Sequence, residues 1–316
     1  MPAQALSLRV LSDETPDGSW ELLPNSSQRY KTARAIIDLL FQLLERSDMR
    51  EWLIVTARHI VTGLRQTSFE GLWPRGRRRD SSLPEMPSFI DFFLQELRRD
   101  FLEIRLTRNL QGEAAVYRKE WASEQNSPTV YSWRGKDLGY MLLARDIINC
   151  MVSAKSPTTY RSFMFQMIIS TAHEIAHLLT AVLTGGESPW TPDNVNMGSS
   201  EGEAGFFFEI NAFGGIAEFY ASISQPNDLR QPGIPYILKG TEDSDLGVKL
   251  DERTIQHFVE DISSIQLPLI PKDIKVLPNV ITRRKIQDST AGLLTTIRNK
   301  GIGVARTRDR YIAGSH

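Results

Sequence analysis

Five consecutive residues, His173-Glu174-Ile175-Ala176-His177, have the types and spacing that hydrolytic metal chemistry needs. On an α-helix, residues four apart lie one turn apart and only about 40° round the axis, so both imidazoles project from one face. Two neutral imidazoles placed in this way can bind one zinc ion. Glu174, between them, stands beside the metal's open position, where it can take a proton from water activated by the metal. A chain of this length holds such a match by chance about once in a hundred sequences, and here two of only five histidines fall in it. His177 is expected to donate its second ring N–H to an acceptor that fixes the ring.

The residues around the motif describe the helix that must carry it. Gln166, Ser170, His173, His177, Thr180 and Thr184 recur at spacings of three and four and form one polar seam. Met164, Ile168, Thr171, Ile175, Leu178 and Val182 form the opposite, mainly apolar stripe. This pattern predicts a buried helix over about 159–183, ended by Gly185-Gly186, whose seam faces something polar. A third ligand is required. Thr180 and Leu183 stand where a glycine and a third histidine would complete the longer H-E-x-x-H-x-x-G-x-x-H pattern, so that version fails. The remaining source is a glutamate on the next helix, expected over about 201–212 and stopped by Phe213-Gly214-Gly215. Glu203 is favoured because Gly202, Ala204 and Gly205 let two backbones and a metal approach closely. Glu209 is the alternative ligand, on a different side of that helix, and Glu201 and Glu218 remain further options. Ser200 with Glu203 also reads as a capping box.

His173-Glu174-x-x-His177 with a downstream glutamate resembles the gluzincin branch of the zinc metallopeptidases. Glu203 to Glu209 is loosely similar to the Glu-Gly-x-Ala-x-x-x-Glu helix of zinc aminopeptidases, shifted by one residue at its end. The longer run also resembles uncharacterised fungal proteins with an H-E-x-x-H site and a Gly-Glu-Ala-Gly…Phe-Gly-Gly continuation. The resemblance covers about residues 160–222. It implies a zincin-like core and a glutamate ligand but no substrate, and the aminopeptidase motif that grips a substrate amine is not evident.

The elements that position these residues are expected to form an α+β, helix-rich fold. It would have a small mixed sheet before the His173 helix and the glutamate helix across a cleft. Residues 1–25 read as irregular and 26–110 as a helical N-terminal region, a lid or prodomain-like element. Residues 111–262 read as the catalytic region and 263–316 as an extended segment with a basic tail. Within these, Ser26 or Ser27 caps a helix ending near Ser47-Asp48, Trp52–Leu64 is a second helix or a strand-helix segment, and Ser88 caps a third helix through Phe101. Val116–Trp133 reads as hairpin strands, Ile147–Ser153 as a short β-prone run, Glu218–Ile223 as a short helix and 225–250 as mostly loop.

Composition narrows the partners. Lys plus Arg is 37 and Asp plus Glu is 38, a net charge of −1, so there is no basic surface to make nucleic acid the default partner. The arginine run of residues 75–79 reads as a solvated loop, and the basic stretch of 298–310 lacks the aromatic residues that stack on bases. No apolar run is long enough to span a membrane, and the N-terminal stretch has no signal-peptide pattern, which points to a cytoplasmic or otherwise intracellular protein. With one cysteine, Cys150, zinc would be held by nitrogen and oxygen, as in catalytic sites, not by a Cys cage. Tyr220, Tyr236 and His257 are candidates to stabilise an oxyanion, and Asn149 or Asn211 could orient a ligand histidine. His59 reads as structural and Cys150 as a core residue. Three functions fit: a zinc hydrolase of peptide or amide bonds, a zincin-fold enzyme acting on a small molecule in fungal specialised metabolism, and a non-catalytic zinc-binding interaction module.

Overall fold

The computed structural model describes residues 6, 8–13, 19–65, 85–108, 110, 113–118, 133–184, 203–220, 231–239 and 246–270. After strands β1 (Val10–Ser12) and β2 (Glu21–Leu22) come three helices, α1 (Gln28–Leu44), α2 (Ser47–Arg65) and α3 (Met86–Arg99). Strands β3 (Glu103–Thr107), β4 (Ala114–Arg118) and β5 (Gly139–Ala144) follow, then α4 (Arg145–Val152) and the long α5 (Pro157–Thr184). The described chain ends with α6 (Ala204–Phe213), β6 (Ile216–Tyr220), β7 (Ile234–Leu238), β8 (Gly247–Lys249) and α7 (Glu252–Glu260). The molecule is helix-rich α+β, as expected.

The first sheet is mixed, in the order β2-β1-β3-β5-β4. Its three inner strands are parallel, and β2 and β4 run antiparallel on the two edges. One face of the sheet is covered: Val10, Ile104, Leu106, Met141 and Leu143 are cross-strand neighbours on that face and lie in the same apolar cluster as the helices. That cluster runs continuously from Leu6 to Ile270, and α1, α2, α6 and α7 all pack on α5. The second sheet, β6-β7-β8, is antiparallel.

Several local expectations change. The lead-in expected to be irregular contributes β1, an inner strand with buried Val10 and Leu11. Three residues are too few to show alternation, and the strand's parallel partner, β3, is more than ninety positions away. The β-prone run from Ile147 forms α4, because Ile147, Ile148 and Met151 fall on one helical face and pack into the core. The short helix expected from Glu218 is instead β6, fixed by pairing with β7, and β7 and β8 lie in the segment read as loop. The strand beginning near Val116 does pair antiparallel, but with β5, and 119–132 lie outside the described residues. Helix α3 begins before Ser88, with Pro87 in its first turn.

Other expectations hold. Ser27 caps α1, its hydroxyl accepting the Tyr30 N–H at 3.1 Å. Helix α6 stops at Phe213 because Gly214 takes φ +87°, where the Gly214 N–H closes on the Ile210 carbonyl. Every residue of α5 from Phe163 to Leu183 is buried. No helix among the described residues is long and apolar enough to cross a membrane.

Candidate metal centre

A helix buried on all sides must find partners for each polar group it carries. In α5 the apolar stripe enters the core, and Thr171 and Thr180 return their hydroxyls to the carbonyls of Met167 and Ala176. The rest of the seam meets β4 on one side and α6 on the other.

The two imidazoles converge as the spacing predicts. Nε2 of His173 and Nε2 of His177 are 3.3 Å apart. Oε1 of Glu203 lies 3.8 Å from Nε2 of His173 and is in direct contact with Nε2 of His177. One donor atom from each residue fits within a 4.8 Å span, and all three side chains are buried. Donors held about 2.0–2.1 Å from one tetrahedral ion stand about 3.3–3.4 Å apart, which the two imidazole nitrogens match, so the group could hold a metal ion. One carboxylate and two imidazoles are also the nitrogen and oxygen donor set of catalytic zinc sites.

Glu203 reaches this position from outside the helix. It is the N-cap of α6, with extended backbone, and Oε1 accepts the Gly205 N–H at 3.0 Å. As the N-cap it is not the N3 residue that a Ser200 capping box would need, and Ser200 lies outside the described residues. Gly205 is needed for close approach, since a Cβ there would sit 2.4 Å from the His173 ring. Phe206 then packs edge-on against the same ring, with centroids 5.2 Å apart. Burial alone would raise the Glu203 carboxyl pKa, but His177, His173 and the Gly205 N–H outweigh that and hold it below the usual carboxylate value.

Glu209, the alternative ligand, is bonded elsewhere. Its Oε1 accepts the Nδ1–H of His173 at 2.7 Å, and its Oε2 accepts the Ala217 N–H at 2.8 Å. That bond places the proton of His173 on Nδ1 and leaves the Nε2 lone pair toward Glu203 and His177. Glu203 and Glu209 thus hold opposite edges of one imidazole. A helical-wheel separation does not apply to them, because Glu203 is a cap outside the regular turn. The acceptor expected for His177 is found for His173.

Glu174 is also buried, and its Oε2 accepts the Val116 N–H of β4 at 2.8 Å. The β4–β5 ladder explains this contact. Ala144 donates its N–H to the Glu113 carbonyl, so residues 113, 115 and 117 bond toward β5, while Ala114 and Val116 turn their peptide groups to the outer edge. Further along the seam, Gln166 donates to Oε1 of Glu113 at 2.8 Å and accepts the Gly233 N–H at 3.3 Å. Nothing in the sequence pairs Glu113 with Gln166, because the contact depends on strand order.

The remaining candidates are dispersed. Tyr220 and Tyr236 pack edge to face (5.4 Å between centroids) in a small cluster that includes Phe206, so they stand behind the ring that touches His173. Glu218 is buried on β6 opposite Tyr236. His257 is exposed on α7 and bonded to Ser264 at 2.8 Å, which leaves it outside the cluster. Asn211 bonds to the Phe207 carbonyl of its own helix, and Asn149 lies on α4; neither touches a ligand histidine. His59 is exposed and packs on Phe207. Cys150 is half-buried against the core. Glu201, Gly185-Gly186, the arginine run and the basic tail lie outside the described residues.

The chain matches no protein-family model, no curated protein and no solved structure. The similarity to gluzincins therefore rests on the motif and its surroundings alone.

Proposed function

We propose that this protein is a zinc-dependent hydrolase of peptide or amide bonds. The observation that carries the reading is the convergence of His173 Nε2, His177 Nε2 and Glu203 Oε1 beside the helix residue Glu174. A zinc ion held by these three atoms supplies Lewis acidity that activates water and polarises a carbonyl. Glu174 acts as general base, taking the proton from water and passing it to the leaving amine. The Val116 N–H fixes one oxygen of Glu174 and so sets the direction of the carboxylate. Glu209 keeps the proton of His173 on Nδ1.

A second reading, metal-assisted chemistry on a small molecule, is favoured by the apolar cluster of Phe206, Tyr220 and Tyr236 next to His173.

Elemental analysis should find one zinc per chain in the wild type and none in His173→Ala or Glu203→Ala. Glu174→Gln should retain zinc and lose turnover by a factor of about a hundred or more, the usual scale of general-base catalysis. Full zinc in the His173 variant would sink the reading. Turnover of a peptide library against a metabolite panel separates the two substrate classes.

A further inference from the structure

An open cavity lies away from the histidine pair, between the first turns of α1 and α5 and the last turn of α4, with a volume of about 450 Å³. It opens beside Tyr160, thirteen residues before His173, or about 20 Å along α5. Its size falls within the range of small-molecule sites.

Its lining is cationic. Lys31 and Lys155 bring two ammonium groups to it, neither has an ion-pair partner among the described residues, and no carboxylate lines the cavity. Thr32 is only 7% exposed and lines the cavity, yet its hydroxyl has no hydrogen-bond partner. In other buried threonines of this chain the hydroxyl returns to a helix carbonyl, as in Thr56, Thr171 and Thr180. The hydroxyl of Tyr160 and the amide of Gln28 are also without partners, and burial raises the Tyr160 pKa, which keeps that hydroxyl a donor. The positive ends of α1 and α5 also face this region, offset in part by the negative end of α4. Met151 and Val152 give the cavity one apolar wall, and Val152 is 42% exposed.

We infer that this cavity binds a phosphate monoester. The phosphoryl group sits between Lys31 and Lys155, with the Thr32 and Tyr160 hydroxyls as further donors, and a compact apolar body lies against Met151 and Val152. Two point charges with hydroxyl donors suit a phosphate dianion.

The test is calorimetric titration of the full-length, chelator-treated protein at low ionic strength with phenyl phosphate and with inorganic phosphate. Removing the metal ensures that binding does not come from the histidine centre, so the result stands whether or not the zinc reading does. Saturable binding is expected for both ligands, tighter for phenyl phosphate. The Lys31→Ala/Lys155→Ala double variant should weaken it at least tenfold and Thr32→Val several-fold. Both lysines are exposed, so the double variant should fold as the wild type does. No saturable binding beyond that of sodium chloride at matched ionic strength, or undiminished binding in the double variant, would overturn the inference.

Discussion

At His173 both ring nitrogens are in use, Nδ1 on Glu209 and Nε2 toward His177 and Glu203. A carboxylate partner of this kind makes the imidazole a better donor, and losing such a partner commonly costs ten- to a hundredfold in metal affinity. Glu209→Gln is therefore expected to weaken zinc binding by that factor while the fold persists, read by competition with a chromophoric chelator. An unchanged affinity would show that Glu209 serves packing alone. Gly205→Ala tests the same ring from its other side. The added methyl would overlap the imidazole at 2.4 Å, so either the ring or α6 must move. Overpacking of this sort typically costs about 1–3 kcal/mol, and zinc occupancy should fall with it. At this scale the sequence was informative for His173, Glu174, His177 and Glu203, because helical spacing and small neighbours are local properties. The role of Glu209 was not, since it depends on Glu203 being a cap and not a turn residue.

Among the elements, α5 and α6 were legible for the same reason: long periodicity, a glycine stop and a polar seam all lie within one stretch of chain. The strands were harder. β1, β6, β7 and β8 are three to five residues long, and each is a strand only because a partner elsewhere accepts its hydrogen bonds. Helix α4 shows the converse, with β-branched residues held in a helix because one helical face meets the core. Helix α7 packs on α5 and carries its own pH signature. Its N-cap Asp251 accepts the Thr254 N–H at 2.7 Å, and the hydrogen bonds from Thr254 hold the Asp251 pKa below 3.8. A depressed folded-state pKa means that this contribution is present above the unfolded value and is lost as pH falls through the folded one. Hydrogen exchange at Thr254 should thus be flat with pH above about 4, once corrected for intrinsic rates, and accelerate below it. In Asp251→Asn, whose amide caps at any pH, that acceleration should vanish. If it persists, the acid sensitivity belongs to another group.

The molecule as a whole is tied together by contacts between residues far apart in the sequence that no local pattern reveals. Asp13, just after β1, collects the Thr107 hydroxyl and the Arg108 N–H, each at 3.1 Å, and the guanidinium of Arg145 at 2.8 Å. Three neighbouring parallel strands therefore end on one carboxylate. Arg145 is only 1% exposed, the most deeply buried cation of the described chain. Taking a guanidinium out of water is unfavourable unless a counter-charge meets it, so removing one partner should cost far more than removing both. Asp13→Ala is expected to destabilise the protein by about 3–5 kcal/mol in urea unfolding. Asp13→Ala combined with Arg145→Met should recover most of that loss, because the uncompensated charge is gone and the methionine fills apolar space at the start of α4. If the double variant is as unstable as Asp13→Ala, the ion pair is not the source of the loss. The hydroxyl and amide contacts of Asp13 would then be what holds the N-terminal strand against β3, and through β3 the sheet on which β4 and Glu174 depend.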